Sequence, residues 1–173
     1  IGSVNTIVHR DDKLKGYNTD GIGFFRSLPP AFSIKGKTMV LLGAGGAALA
    51  IIAQAIHLGV KRILVFVREE RLVHYRSIVQ LVEEGFDFLI ELYAIEKDEE
   101  VQNSFNQADL ILNATGVGMD GHSLPIASYL TFPPQALIVE MAYYPAVTPF
   151  LQLAVNQGNQ RENGLGMLFY QAE

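Results

Sequence analysis

The sequence predicts an α/β protein built mainly as a doubly wound parallel sheet, and three observations carry that reading. From about Ser33 to the end, short and nearly continuous apolar runs alternate with helix-length segments, the pattern of strands covered on both faces. A Gly-rich turn, Gly43-Ala44-Gly45-Gly46-Ala47, separates one such run from an Ala-rich helical stretch. The composition, 49% hydrophobic and 18% charged over 173 residues, supplies more core than a disordered chain can.

The elements follow in order. Residues 3–9 and 13–18 read as two extended pieces joined by a polar turn at Asp11 and Asp12, a hairpin. Thr19 or Asp20 can cap a short helix over 22–28, which Pro29 and Pro30 end. A strand over 37–42 runs into the Gly-rich turn, and the helix after it closes at Gly59. Next come a strand over 62–67, a mixed helix through Val82, a weaker strand over 86–92 and an acidic helix from about Glu96 to Phe105. Strands over 108–115 and 136–143 follow. Thr148 as N-cap, Pro149 in the first turn and Gly158 past the last apolar residue mark one more helix. The acidic segment from Glu96 to Glu100 reads as a solvated helix face.

Charge and residue usage exclude several classes. Thirteen Lys and Arg against eighteen Asp and Glu give a net charge of −5, with no basic run, so nucleic acid is not an expected partner. The chain has no Cys, which excludes a disulfide scaffold, a zinc finger or an iron–sulfur cluster, and no metal is expected. No apolar stretch approaches the ~20 residues of a membrane span, and no signal-peptide pattern opens the chain. A soluble, cytoplasmic protein is the expectation. Because residue 1 is Ile rather than Met, the chain is expected to be processed or a piece of a longer one.

Between a strand and a helix, the Gly43–Ala47 turn can bring backbone N–H groups and a helix N-terminus to a pyrophosphate. In such a Rossmann unit the ribose reader lies at the tip of the second strand, here Val67-Arg68-Glu69-Glu70-Arg71. An acidic residue there accepts from ribose hydroxyls and favours NAD, whereas Arg pairs with a 2′-phosphate and favours NADP. Both types are present, so the choice stays open. Asp20 taken alone reads as a helix cap or Asx-turn residue.

Taken together, VNTIV, GYNTDG, GAGGAA, NATGVGM, the YxPxxTPxL run at Tyr143 to Leu151 and GLGMLxxQA at Gly164 to Ala172 resemble the shikimate/quinate dehydrogenase family. GYNTDG and the GLGML ending with its Gln are the most specific, since a generic nucleotide-binding domain has no use for them. The resemblance spans nearly the whole chain. It implies reversible reduction of 3-dehydroshikimate to shikimate with NADP(H), a step toward chorismate and the aromatic amino acids. The alternatives are quinate/shikimate oxidation with NAD and a nucleotide-binding module without catalysis. A related dehydrogenase for a folate, amino-acid or tRNA-linked substrate gives no reason for the GLGML ending.

The resemblance also implies residue roles. Asp20 becomes half of a catalytic Lys–Asp pair whose Lys belongs to an upstream domain without a counterpart in these residues. Residues 1–32 then represent the end of a substrate-binding domain with a linking helix, and residues 33–173 the NAD(P)-binding domain. Asn5, Asp20, Tyr143 and Gln171 fall on the substrate side. Gly43, Ala44, Gly45, Gly46 and Ala47 fall to the pyrophosphate, Arg68 to the adenosine ribose, and Asn113, Thr115, Met141 and Gly164 to the nicotinamide end. Gly164 and Gly166 are expected to lack a Cβ so that main chain can approach a planar ring. Met119 and Met141 are read as apolar walls or core, Asn18 as holding its turn and Thr19 as structural. Three departures stand out: Glu69 where a hydroxyl is usual, Glu140 for an Asp, and a polar stretch from Asn159 to Glu162 that predicts a short or frayed last strand.

Overall fold

The computed structural model describes residues 3–172. Strands β1 (Thr6–Arg10) and β2 (Lys13–Tyr17) pair antiparallel as the expected hairpin, with Asp11 and Asp12 both left-handed in its turn. Asp tolerates that conformation better than most side chains, so the turn sits where the sequence places it. Helix α1 (Asp20–Ser27) follows, and Pro29 and Pro30 bar its continuation.

The main sheet has six parallel strands: β3 (Thr38–Leu42), β4 (Arg62–Val67), β5 (Glu91–Ala94), β6 (Leu110–Asn113), β7 (Leu137–Glu140) and β8 (Arg161–Glu162). Their spatial order is β5-β4-β3-β6-β7-β8, every neighbouring pair parallel. Helices α2 (Gly46–His57), α3 (Leu72–Phe86), α4 (Asp98–Phe105), α5 (Pro149–Gln157) and α6 (Leu165–Tyr170) complete the wrap. Strand order reverses between β3 and β6, and the crevice beyond their carboxyl ends is where such sheets bind ligands.

Alternate residues of each strand enter two different cores. Met39, Leu41, Ile63, Val65, Leu110 and Leu112 pack with Phe24 of α1, Ile51 and Ile52 of α2 and Val79 of α3. Val40, Leu42, Leu64, Phe66 and Ile111 pack with Phe105 of α4 and Phe150 of α5. That explains runs such as TMVLL, buried at every position: a sheet covered on both faces has no polar side.

Two local expectations change. The strand expected over 86–92 forms only from Glu91 to Ala94, because Phe86 closes α3 and Asp87 turns left-handed after it. Phe88 and Ile90 still reach the core, from a connecting segment. Helix α4 starts at Asp98, leaving Glu96 before it. The GLGML ending is helical as α6, and the last strand is the expected short one, two residues long.

Candidate functional site

The Gly-rich turn leaves β3 and enters α2 with a single side chain on the way, the methyl group of Ala44, which is buried in the core. Gly43 has φ +96°, and a Cβ on it would meet the Ala114 carbonyl oxygen at 3.0 Å. Gly45 caps α2 with no side-chain hydrogen bond, and the first turn holds no acidic residue. The leading amides of a twelve-residue helix are therefore left to an anion from outside. Gly43, Ala44 and Gly45 line a cleft of about 620 Å³ with Arg68, Arg71, Tyr75, Glu96 and Thr115. A turn with no room for a Cβ at Gly43, a helix N-terminus and two guanidinium groups fit a dinucleotide phosphate chain.

The strand-end loops are fixed by one buried network. Asn113, last residue of β6, lies in register with Glu140, last residue of β7, and both are fully buried. Asn113 Nδ2 donates to Glu140 Oε2 at 2.8 Å and to the Val117 carbonyl at 3.0 Å. Its Oδ1 accepts from the Thr115 amide at 3.1 Å and hydroxyl at 2.7 Å. With every hydrogen-bonding position of that amide taken, Asn113 shapes the 113–117 loop instead of offering a side chain to the cleft. Thr148 donates to Glu140 Oε2 at 3.0 Å while accepting from the Leu151 amide at 3.3 Å, which joins the network to the start of α5. Burial pushes the Glu140 carboxyl above the usual carboxylate range, and the donors from Asn113, Ala142 and Thr148 oppose that shift.

A second polar group forms where the lead-in meets α1 and α6. Asn5 Nδ2 donates to Asp20 Oδ1 at 2.7 Å and to Thr19 Oγ1 at 3.1 Å, and Asn5 Oδ1 accepts from the Thr19 amide at 3.1 Å. Asn18 Oδ1 accepts from the Asp20 amide at 3.0 Å, the Asx turn that aims Asp20. The Thr19 hydroxyl donates to the Gln171 carbonyl at 2.7 Å, so residues 152 apart in sequence meet here. Asn18 Nδ2 donates to Ser3 Oγ at 2.9 Å, and a Cβ on Gly46 would lie 3.5 Å from Ser3 Cβ. Ser3 thus binds the Asn18 turn and lies near the start of α2.

Some sequence-level roles take a different form. A Cβ on Gly164 would lie 1.8 Å from the Met141 carbonyl oxygen, and one on Gly166 2.8 Å from Ser27 Cβ. Both glycines admit close approach of neighbouring protein. Gly164 nonetheless sits beside Met141, whose amide is held by the Asn113 carbonyl at 2.9 Å. Tyr143 stands exposed on the loop after β7, and Met119 is exposed as well, so core packing does not describe it. Ala47 is half-buried against the core. Sequence reasoning missed Glu96, Tyr75, Leu124 and Pro125 in the cleft wall; the position of Glu96 just past a strand end was the signal available.

Comparison with known proteins places these features in context. No protein-family model matches the chain. It is 53% identical, over 173 residues, to shikimate dehydrogenase (NADP(+)) of Streptococcus gordonii, covering all of this chain and 60% of that protein. A Streptococcus pneumoniae protein of the same name is 49% identical over 172 residues, again with 60% of its length covered. Among solved structures, shikimate 5-dehydrogenase of Listeria monocytogenes in complex with shikimate and NAD superposes with a TM-score of 0.89 at 37% identity, covering 98% of this chain and 60% of that one. The chain spans about 60% of the length of these relatives, and over that span it is similar to shikimate dehydrogenases.

Proposed function

We propose that this chain carries the nucleotide-binding part and the Asp half of the acid–base pair of an enzyme interconverting 3-dehydroshikimate and shikimate with NADP(H), with NAD as the alternative cofactor. The observation that carries the proposal is the Asn5–Asp20–Thr19–Gln171 group, which stands near the Gly-rich start of α2. A bare nucleotide-binding module has no use for a carboxylate held that way. Residues 1–32 are read as the end of a substrate-binding domain and residues 33–173 as the cofactor domain. Helix α1 nonetheless packs on the latter through Phe24 and Leu28.

In this reading the bound dinucleotide supplies or accepts the hydride. Asp20, held by Asn5 and the Asn18 turn, orients a Lys from the remainder of the protein; its neutral amine takes the hydroxyl proton, and the ammonium so formed pairs with the carboxylate. Asn5, Tyr143 and Gln171 present amide and phenol groups suited to ring hydroxyls, which donate and accept at fixed angles. Gly43 to Ala47 hold the pyrophosphate, Arg68 the adenosine ribose end, and Thr115, Met141 and Gly164 border the nicotinamide, with Asn113 shaping their loop. Among the described residues no helix is long and apolar enough to cross a membrane, and a cytoplasmic site of action fits such a small-molecule reaction.

The test is shikimate-dependent reduction of NADP+ by the full-length protein, followed by absorbance, with quinate and NAD+ as comparison substrates. Turnover of shikimate supports the proposal, and binding of NADP+ without turnover of either acid overturns it in favour of a binding module. The 173 residues alone are expected to bind dinucleotide without turning over shikimate.

A further inference from the structure

The ribose end of the cleft holds an anion of its own. Past β5, Glu96 reaches across to the tip of β4 and its Oε2 accepts the Glu69 backbone amide at 3.0 Å. The approach is set by the sheet: the Ile95 amide donates to the Val67 carbonyl at 2.9 Å, extending the β4–β5 pairing by one step and placing residue 96 beside residues 68 and 69. Glu96 lines the same cleft as Arg68 and Arg71. Arg68 is itself engaged by Glu70 at 3.2 Å. Around this tip stand two guanidinium groups and three carboxylates, those of Glu69, Glu70 and Glu96, so the local balance is acidic despite the arginines.

A backbone amide in the first turn after a strand is the donor that an anionic group would use there. We propose that Glu96 is a specificity-determining residue for the cofactor, a resident carboxylate that a 2′-phosphate must displace from the Glu69 amide and that a free ribose 2′-hydroxyl can instead donate to. The inference rests on the dinucleotide reading above and adds to it the residue that tempers NADP preference in this chain. Nothing in the Val67–Arg71 stretch alone shows this, because the opposing charge arrives from the neighbouring strand. Glu96 is exposed, so replacing it leaves the core untouched.

The experiment is titration calorimetry of the protein with NADP+ and NAD+, comparing wild type with Glu96→Ala, Glu96→Gln and a remote charge control, Glu84→Gln. Glu84 is on α3, paired with Gln80. Glu96→Ala is expected to lower the ratio Kd(NADP+)/Kd(NAD+) by about five- to ten-fold, as removal of one partly screened charge and release of one amide would. Glu96→Gln, which keeps an acceptor without the charge, is expected to lower it by a smaller factor in the same direction. An unchanged ratio in both Glu96 variants with NAD+ binding retained overturns the inference, as does an equal shift in Glu84→Gln. Failure of the wild-type protein to bind either nucleotide strikes the cofactor reading itself, which distinguishes the two failures.

Discussion

Asn5 Nδ2 sits 2.7 Å from Asp20 Oδ1, so a side chain just ahead of β1 holds the carboxylate that opens α1. The same amide group reaches Thr19, whose hydroxyl is bound to the carbonyl of Gln171. Asp20 is thereby held through its carboxylate by Asn5 and through its amide by Asn18, which suits the proposed role of orienting a partner cation. In the full-length enzyme Asp20→Asn should lower kcat about 10²- to 10⁴-fold, the range for loss of an acid–base group, with little change in NADP+ affinity. Steady-state kinetics together with calorimetry separates the two quantities; unchanged turnover would sink the assignment.

Gly43 should tolerate no side chain. Its φ of +96° costs an L-residue about 1–2 kcal/mol, and a Cβ would press on the Ala114 carbonyl. Gly43→Ala is expected to destabilise the fold by about that amount or more and to weaken both dinucleotides alike, because the phosphate turn moves as a whole. Weaker binding of only one nucleotide would show that the effect lies at the ribose.

The Glu140 network should be sensitive out of proportion to its size. Thr148→Val keeps the shape but removes both the cap of α5 and a donor to a buried carboxylate, a loss of about 2–4 kcal/mol. Thr148→Ser keeps the hydroxyl and should stay within about 1 kcal/mol of wild type. Urea unfolding at constant slope measures both; equal midpoints for the two variants would contradict a hydrogen-bonding role.

At the opposite end of β4, Arg62 donates to Glu91 at 2.8 and 3.0 Å. These bonds, chiefly, and one from Tyr93 hold the Glu91 carboxyl below its usual range against the burial that would raise it. A carboxyl depressed on folding adds stability above its unfolded value of about 4.3, and that stability drains away as pH falls through the folded value. Both side chains are more than a third exposed or nearly so, so the contribution is about 1 kcal/mol at most. Glu91→Gln should flatten the acid limb of the stability profile below about pH 4 and leave the neutral-to-alkaline limb parallel to wild type.

Element order was legible because a two-faced sheet demands runs such as TMVLL and RILVFV, which no amphipathic helix produces. Asp87 shows where legibility ends: FDFLIEL has strand composition, but its first residue finishes a helix and a left-handed Asp then ends the run. The role proposed for Asp20 rests on its motif, since a lone Asp before a helix reads as a cap. Glu96 was hidden in an acidic stretch because its partner, the Glu69 amide, is brought to it by pairing between strands 27 residues apart. Gly164 and Gly166 have no room for a Cβ, and the bodies that press on them are Met141 and Ser27, contacts that belong to tertiary packing and not to spacing.

The glycines of α1 carry a mechanical consequence. A Cβ on Gly21 would lie 2.4 Å from the Ala50 carbonyl oxygen of α2, and one on Gly23 2.7 Å from the Gln171 amide nitrogen. Backbone rests on backbone there, with no layer of side chains between to slide or shear. Helix α1 therefore rides with α2 and α6 as a single rigid piece, and Asp20, its first residue, keeps its station relative to the phosphate turn.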